Sequence, residues 1–170
     1  MTDLIKAMNP TAMLTTEQAA LDAARVSAVG MVLGAINQAV AGWYASTDAG
    51  IESSRAMVEQ MLGQAPSVEE AAQQAQFGLM TAVVIVLIQL GLAVLQWLKP
   101  NGVLPLVFLI LVIWGLGTAC LAFFVPALAE AQPLWLTIVT VVLMAVAAVT
   151  HIASIRGVSA LNTLRMAAAQ

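Results

Sequence analysis

The chain has 170 residues, of which 61% are hydrophobic and only 9% charged, with a net charge of −3. Soluble domains carry about 25% charged residues, so this composition excludes an ordinary water-facing surface and points to lipid as the main solvent. No basic cluster is present for nucleic acid or for a polybasic lipid contact, and the single cysteine, Cys120, excludes an intrachain disulfide or a cysteine-rich metal site.

The first segment, 1–22, contains Asp3, Glu17 and Asp22 and lacks the basic start and short apolar core of a cleaved signal. It is expected to be a cytoplasmic N-terminal segment preceding an uncleaved anchor. MTDLIKAMNP places Leu4, Ile5 and Met8 on one face of a short helix that must end before Pro10. Thr15-Thr16-Glu17-Gln18 offers a helix cap before AALDAAR.

Four stretches reach the roughly 20 apolar residues that a bilayer-crossing helix needs. They are 23–45, 77–98, 103–127 and 134–155, and none contains Asp, Glu or Lys. Arg25 lies near the start of the first, where it can snorkel. The link 46–76 carries its own helical pattern: Met57, Val58, Met61 and Leu62 share a face, and Gly63 fits a helix stop. Ser67 and Glu70 form a capping-box signature, so the second span should project two or three turns beyond the apolar stretch. Lys99-Pro100-Asn101-Gly102 predicts a tight turn that folds spans two and three into an antiparallel hairpin. Pro126 and Pro133 bracket a short link before the fourth span, and 156–170 is expected to be a cytoplasmic tail.

The fold class that follows is all-α: a polytopic membrane protein, a four-transmembrane-helix bundle with a short helical outer hairpin between spans one and two. With alternating spans, Lys6, Arg25, Lys99, Arg156 and Arg165 share one side, and only Arg55 falls on the other, together with Asp48, Glu52, Glu59, Glu69, Glu70 and Glu130. The excess of basic residues predicts cytoplasmic N- and C-termini. Alanine-rich, cysteine-poor composition suggests a bacterial inner membrane. Trp43, Tyr44, Phe123, Phe124 and Trp135 fit an outer aromatic belt, Trp97 an inner one, and Trp114, in mid-span, a packing role.

Polar and small residues recur at intervals of three and four, so each span has one such stripe. In span one it is Ser27, Gly30, Gly34, Asn37, Ala41 and Tyr44, with Gln38 one position round beside Ala35 and Gly42. In span two it is Gly78, Ala82, Ile85, Gln89, Leu92 and Gln96; in span three, Leu111, Gly115, Thr118 and Ala122; in span four, Thr137, Thr140, Met144, Ala147, His151 and Ser154. An unpaired amide in hydrocarbon costs several kcal/mol, so these stripes should face one another or a partner chain. The Gly30/Gly34 pair is a GxxxG motif that lets a second backbone approach. Helix depth and side-chain lean bring Asn37 and Gln89 together, which predicts a direct or water-mediated bond between them.

No Ser–His–acid set, paired intramembrane aspartates or HExxH is present, so a non-enzymatic role is expected. No cofactor is expected; His151 as a porphyrin-type ligand is the one option, and it would need a second histidine from a symmetric partner. The scattered methionines read as flexible packing. The function expected is a non-catalytic integral membrane subunit or assembly protein acting through helix–helix contacts. Its partners would be the lipid bilayer and other membrane subunits or its own copies, and not nucleic acid. The alternative is a small-solute channel or transporter working as an oligomer.

Overall fold

A computed structural model describes residues 2–125 and 132–169. Within them the chain is helical, with no strand, and four helices are long and apolar enough to cross a membrane. The outer end of the third expected span and the link to the fourth, residues 126–131, lie outside the described residues.

Helix α1 (Thr2–Ala7) ends ahead of Pro10, where Asn9 Oδ1 accepts from Thr11 N–H at 2.9 Å. Helix α2 (Glu17–Arg25) starts on the Thr16 hydroxyl, which accepts from Ala19 N–H at 3.2 Å. Helix α3 (Ser27–Ala45) continues α2 across a joint at Val26. There the backbone tightens: Val26 N–H bonds Ala23 O and Val29 N–H bonds Val26 O, both three residues back. Helix α4 (Asp48–Leu62) is capped by Thr47 and stopped by Gly63, whose φ of 75° is the left-handed conformation that glycine adopts without strain.

Helix α5 (Val68–Leu98) begins on a complete capping box, with Glu70 N–H donating to Ser67 Oγ and Ser67 N–H donating to Glu70 Oε2. Its first nine residues, about 13 Å of helix, precede the apolar stretch that starts at Phe77. Asn101 Oδ1 accepts from Val103 and Leu104 N–H and so caps helix α6 (Val103–Leu121). Helix α7 (Leu134–Ala168) is the longest, at 35 residues.

Two features depart from expectation. Helix α7 does not stop with the expected span at Ile155 but runs on to Ala168 because its inward side finds α2. Leu161 and Gly157 are buried, Ala20, Ala23 and Ala24 are buried opposite, and Arg165 Nε meets Glu17 Oε1 at 2.8 Å. That exposed ion pair adds little energy; the apolar contact sets the pairing. The second departure concerns α5 and α6. Although a tight turn joins them, they do not pack as a hairpin: α5 lies along α3, and α6 lies along α7. Helix α3 is therefore the hub, with α5 on one flank and α7 on the other. Ala28, Met31, Ala93 and Phe108 form the apolar cluster where α3, α5 and α6 meet near the turn.

Candidate helix-contact site

The end of the bundle that holds the α5–α6 turn also holds Lys6, Arg25, Lys99, Arg156 and Arg165, and is called the basic end. A connected group of polar side chains lies buried just inside it. Ser27, Gln96, Thr150, His151 and Ser154 are all 0% exposed. Their positions follow from spacing: 150, 151 and 154 lie on one side of α7, and 96 lies on the side of α5 that meets α3.

The focus of the group is a backbone atom. Ala24 O, beside the Val26 joint, accepts from Ser154 Oγ at 2.6 Å and from Gln96 Nε2 at 3.0 Å. One carbonyl thus ties α2 to both α5 and α7. Gln96 also stitches the turn that follows it, donating to Asn101 O at 3.2 Å and accepting from Asn101 N–H at 3.4 Å. One turn further in, Ser27 Oγ and His151 Nδ1 are 2.8 Å apart, and Phe108 of α6 stacks on the imidazole with ring centroids at 5.8 Å.

A Ser–His hydrogen bond is also how a nucleophile meets its base. Here both side chains are fully buried, so no substrate atom reaches the hydroxyl in this packing. His151 Nε2 has no hydrogen-bond partner among the described residues and sits 3.0 Å from where a Cβ on Gly30 would lie. A ligand role for His151 would require the ring to leave that position. Among the described residues no group of three or more His, Cys, Asp or Glu converges as a metal site would.

Glycines make this packing, though not in the way the GxxxG motif suggests. At Gly30 a Cβ would collide with Thr150 Oγ1, and at Gly34 the nearest atoms belong to the Gln89 amide, 3.7–4.0 Å away. Gly30 thus makes room for a polar side chain of α7, whereas at Gly34 a Cβ would only reach ordinary contact with the Gln89 amide. The close approach of two backbones occurs at Gly157, where a Cβ would lie 2.6 Å from Ala23 C and against Ala24 N. The sequence reading ended the span two residues short of it.

A second polar layer lies further along the bundle. Asn37 is buried and Gln89 half-buried, yet no direct bond joins them, and Asn37 Oδ1 and Gln89 Oε1 both lack a donor among the described residues. The expected direct bond is not formed, because the Gln89 amide occupies the space over Gly34, one turn short of Asn37. Gln38 is half-buried and makes no hydrogen bond through its side chain.

The stripes on the other helices are partly rotated. At Gly115 a Cβ would lie 2.8 Å from the Met144 methyl, and Thr140 is half-buried on α7. Thr118, in contrast, is exposed; its hydroxyl is satisfied within the helix by Gly115 O at 2.9 Å and needs no neighbour. On α5 the inward line is Leu79, Ala82, Val86, Gln89, Ala93 and Gln96, while Gly78 and Ile85 face out. Trp114 is also placed outward, 75% exposed, against the expectation of a packing role. No family model, curated protein or solved structure matches the chain.

Proposed function

We propose that this chain is a non-catalytic integral membrane protein, a subunit or assembly factor, whose four apolar helices cross a bilayer and whose α6 outer face receives a helix of another membrane protein. The basic end is cytoplasmic by the excess of Lys and Arg there, and α4 with the projecting start of α5 forms a short hairpin outside. The compartment proposed is a bacterial inner membrane.

Trp114 is the observation that carries the reading. It stands 11 residues into a 19-residue helix, about 16 Å from its start and so near the bilayer midplane. Tryptophan in membranes concentrates at the two interfaces, because its indole N–H requires an acceptor. At the midplane lipid offers none, and a donor left unpaired in hydrocarbon costs several kcal/mol. A partner helix supplies the acceptor. Beside Trp114, Gly117 has no atom within 4 Å of its Cβ position, which leaves a notch for that helix.

The test is extraction of the native protein in a mild detergent, followed by mass determination with light scattering. A complex larger than the 17.7 kDa chain is expected, and Gly117→Leu should dissociate it without loss of helix content. A lone monomer at every concentration would overturn the reading.

A further inference from the structure

An apolar groove of about 400 Å³ runs between α3 and α5 at the basic end. Its floor is made by the small residues Ala28 and Ala93, and its walls by Val32, Leu90 and Val94, with Trp97 toward the basic end. From Trp97 to Leu90 is seven residues, or about 10 Å along the helix. The apolar half-thickness of a bilayer is about 15 Å, so the groove covers the outer two-thirds of one leaflet.

A fixed cation sits beside Trp97. Arg25 Nε donates to Trp97 O at 3.0 Å, and the guanidinium carbon lies 5.8 Å from the Trp97 ring centroid. These two contacts hold the side chain but occupy only one of its N–H groups. Both terminal nitrogens make no hydrogen bond among the described residues. Asp22, the nearest carboxylate in sequence, accepts instead from Gln18 Nε2 at 2.9 Å. Lys99 is exposed two residues beyond Trp97.

We infer that this groove with Arg25 is a binding site for an anionic phospholipid. One acyl chain lies in the groove, and the phosphate accepts from the Arg25 terminal nitrogens, whose planar fork suits a phosphate oxygen pair. A docked helix would fill the apolar groove equally well but would leave the guanidinium without an anion; charge complementarity selects the lipid. The site rests on the membrane reading above.

Purified full-length protein in detergent is offered dioleoyl phosphatidylglycerol or dioleoyl phosphatidylcholine, and bound lipid is counted by native mass spectrometry. A preference of about fivefold for the anionic lipid is expected. Arg25→Gln should remove the preference, and Arg25→Lys should retain part of it. Val94→Trp, at an exposed position on the groove wall, should lower adducts of both lipids. Equal binding of the two lipids, an unchanged preference in Arg25→Gln, or copurification of a protein that blocks both lipids would overturn the site. Carbonate-resistant sedimentation with vesicles is measured first on the same preparation. Protein left in the supernatant overturns the membrane reading itself, whereas sedimenting protein without lipid preference overturns the lipid site alone.

Discussion

Two polar layers lie on the same helices, α3 and α5, and they are built in opposite ways. In the layer at the basic end, Gln96 and Ser154 converge on Ala24 O, Gln96 brackets Asn101, and Ser27 holds His151. In the layer two to three turns deeper, Asn37 and Gln89 carry the same chemistry, but their buried oxygens accept from no donor among the described residues. The difference is access to backbone. Gln96 lies beside a helix joint and a turn, where carbonyls and amides are available to side chains. Gln89 lies against uninterrupted helix, where backbone groups already bond one another. Of these amides, the one with free backbone groups in reach is the one that is bonded.

Several substitutions break or sharpen this contrast. The largest effect is expected at Gly157, which sets the α2–α7 distance on which the basic layer depends. Gly157→Leu forces two backbones apart and should destabilise by about 3 kcal/mol, read as a loss of thermal midpoint and of protection at Ala23 and Ala24 in hydrogen exchange. Next is Ser27→Ala, which leaves His151 Nδ1 buried and unpaired, at a cost of about 2 kcal/mol. Adding His151→Phe should recover part of that loss, since the second change removes the orphan and keeps an aromatic face against Phe108; a loss equal to the sum of the single changes would show that the bond is not formed. Ser67→Ala, outside both layers, removes the cap of α5 and should cost about 1 kcal/mol.

The smallest effect concerns pH at the same cap. The Ser67 backbone N–H, and then the Ser67 hydroxyl, hold the Glu70 carboxyl below the usual carboxylate range. A lowered folded-state value means that the box stabilises above the ordinary carboxylate pKa and weakens as pH falls through the folded value. Hydrogen-exchange protection at the start of α5, taken relative to the intrinsic rate at each pH, should therefore fall on acidification while protection at Gln96 does not.

Much of this was legible in the sequence, for reasons that also explain what was not. The line Ser27, Gly30, Asn37 on α3 stands out by spacing, because glycine and polar residues contrast with the surrounding Val, Leu and Ile, and all three are buried. The α7 line of Ala147, His151 and Ser154 stands out in the same way. On α5 the contrast fails: Leu79 and Val86 face inward and Ile85 outward, and lipid and core are equally apolar, so hydrophobicity cannot mark the face. Thr118 misleads because a hydroxyl bonded to its own helix can face lipid. Gly157 and Leu161 were hidden by Arg156, which reads as the end of a span although the helix continues beyond it. Which amide would find a partner depended on the Val26 joint, and no breaker residue announces it.

The most direct measurement compares Gln96→Leu with Gln89→Leu in one membrane mimetic, each by reversible denaturation. The account predicts a loss of about 2 kcal/mol for Gln96→Leu, since Ala24 O loses one of its two side-chain donors and Asn101 loses its bonds to the amide, and no loss or a small gain for Gln89→Leu, which removes a buried oxygen without a donor among the described residues. Equal losses for the two, or a larger one at Gln89, would contradict it.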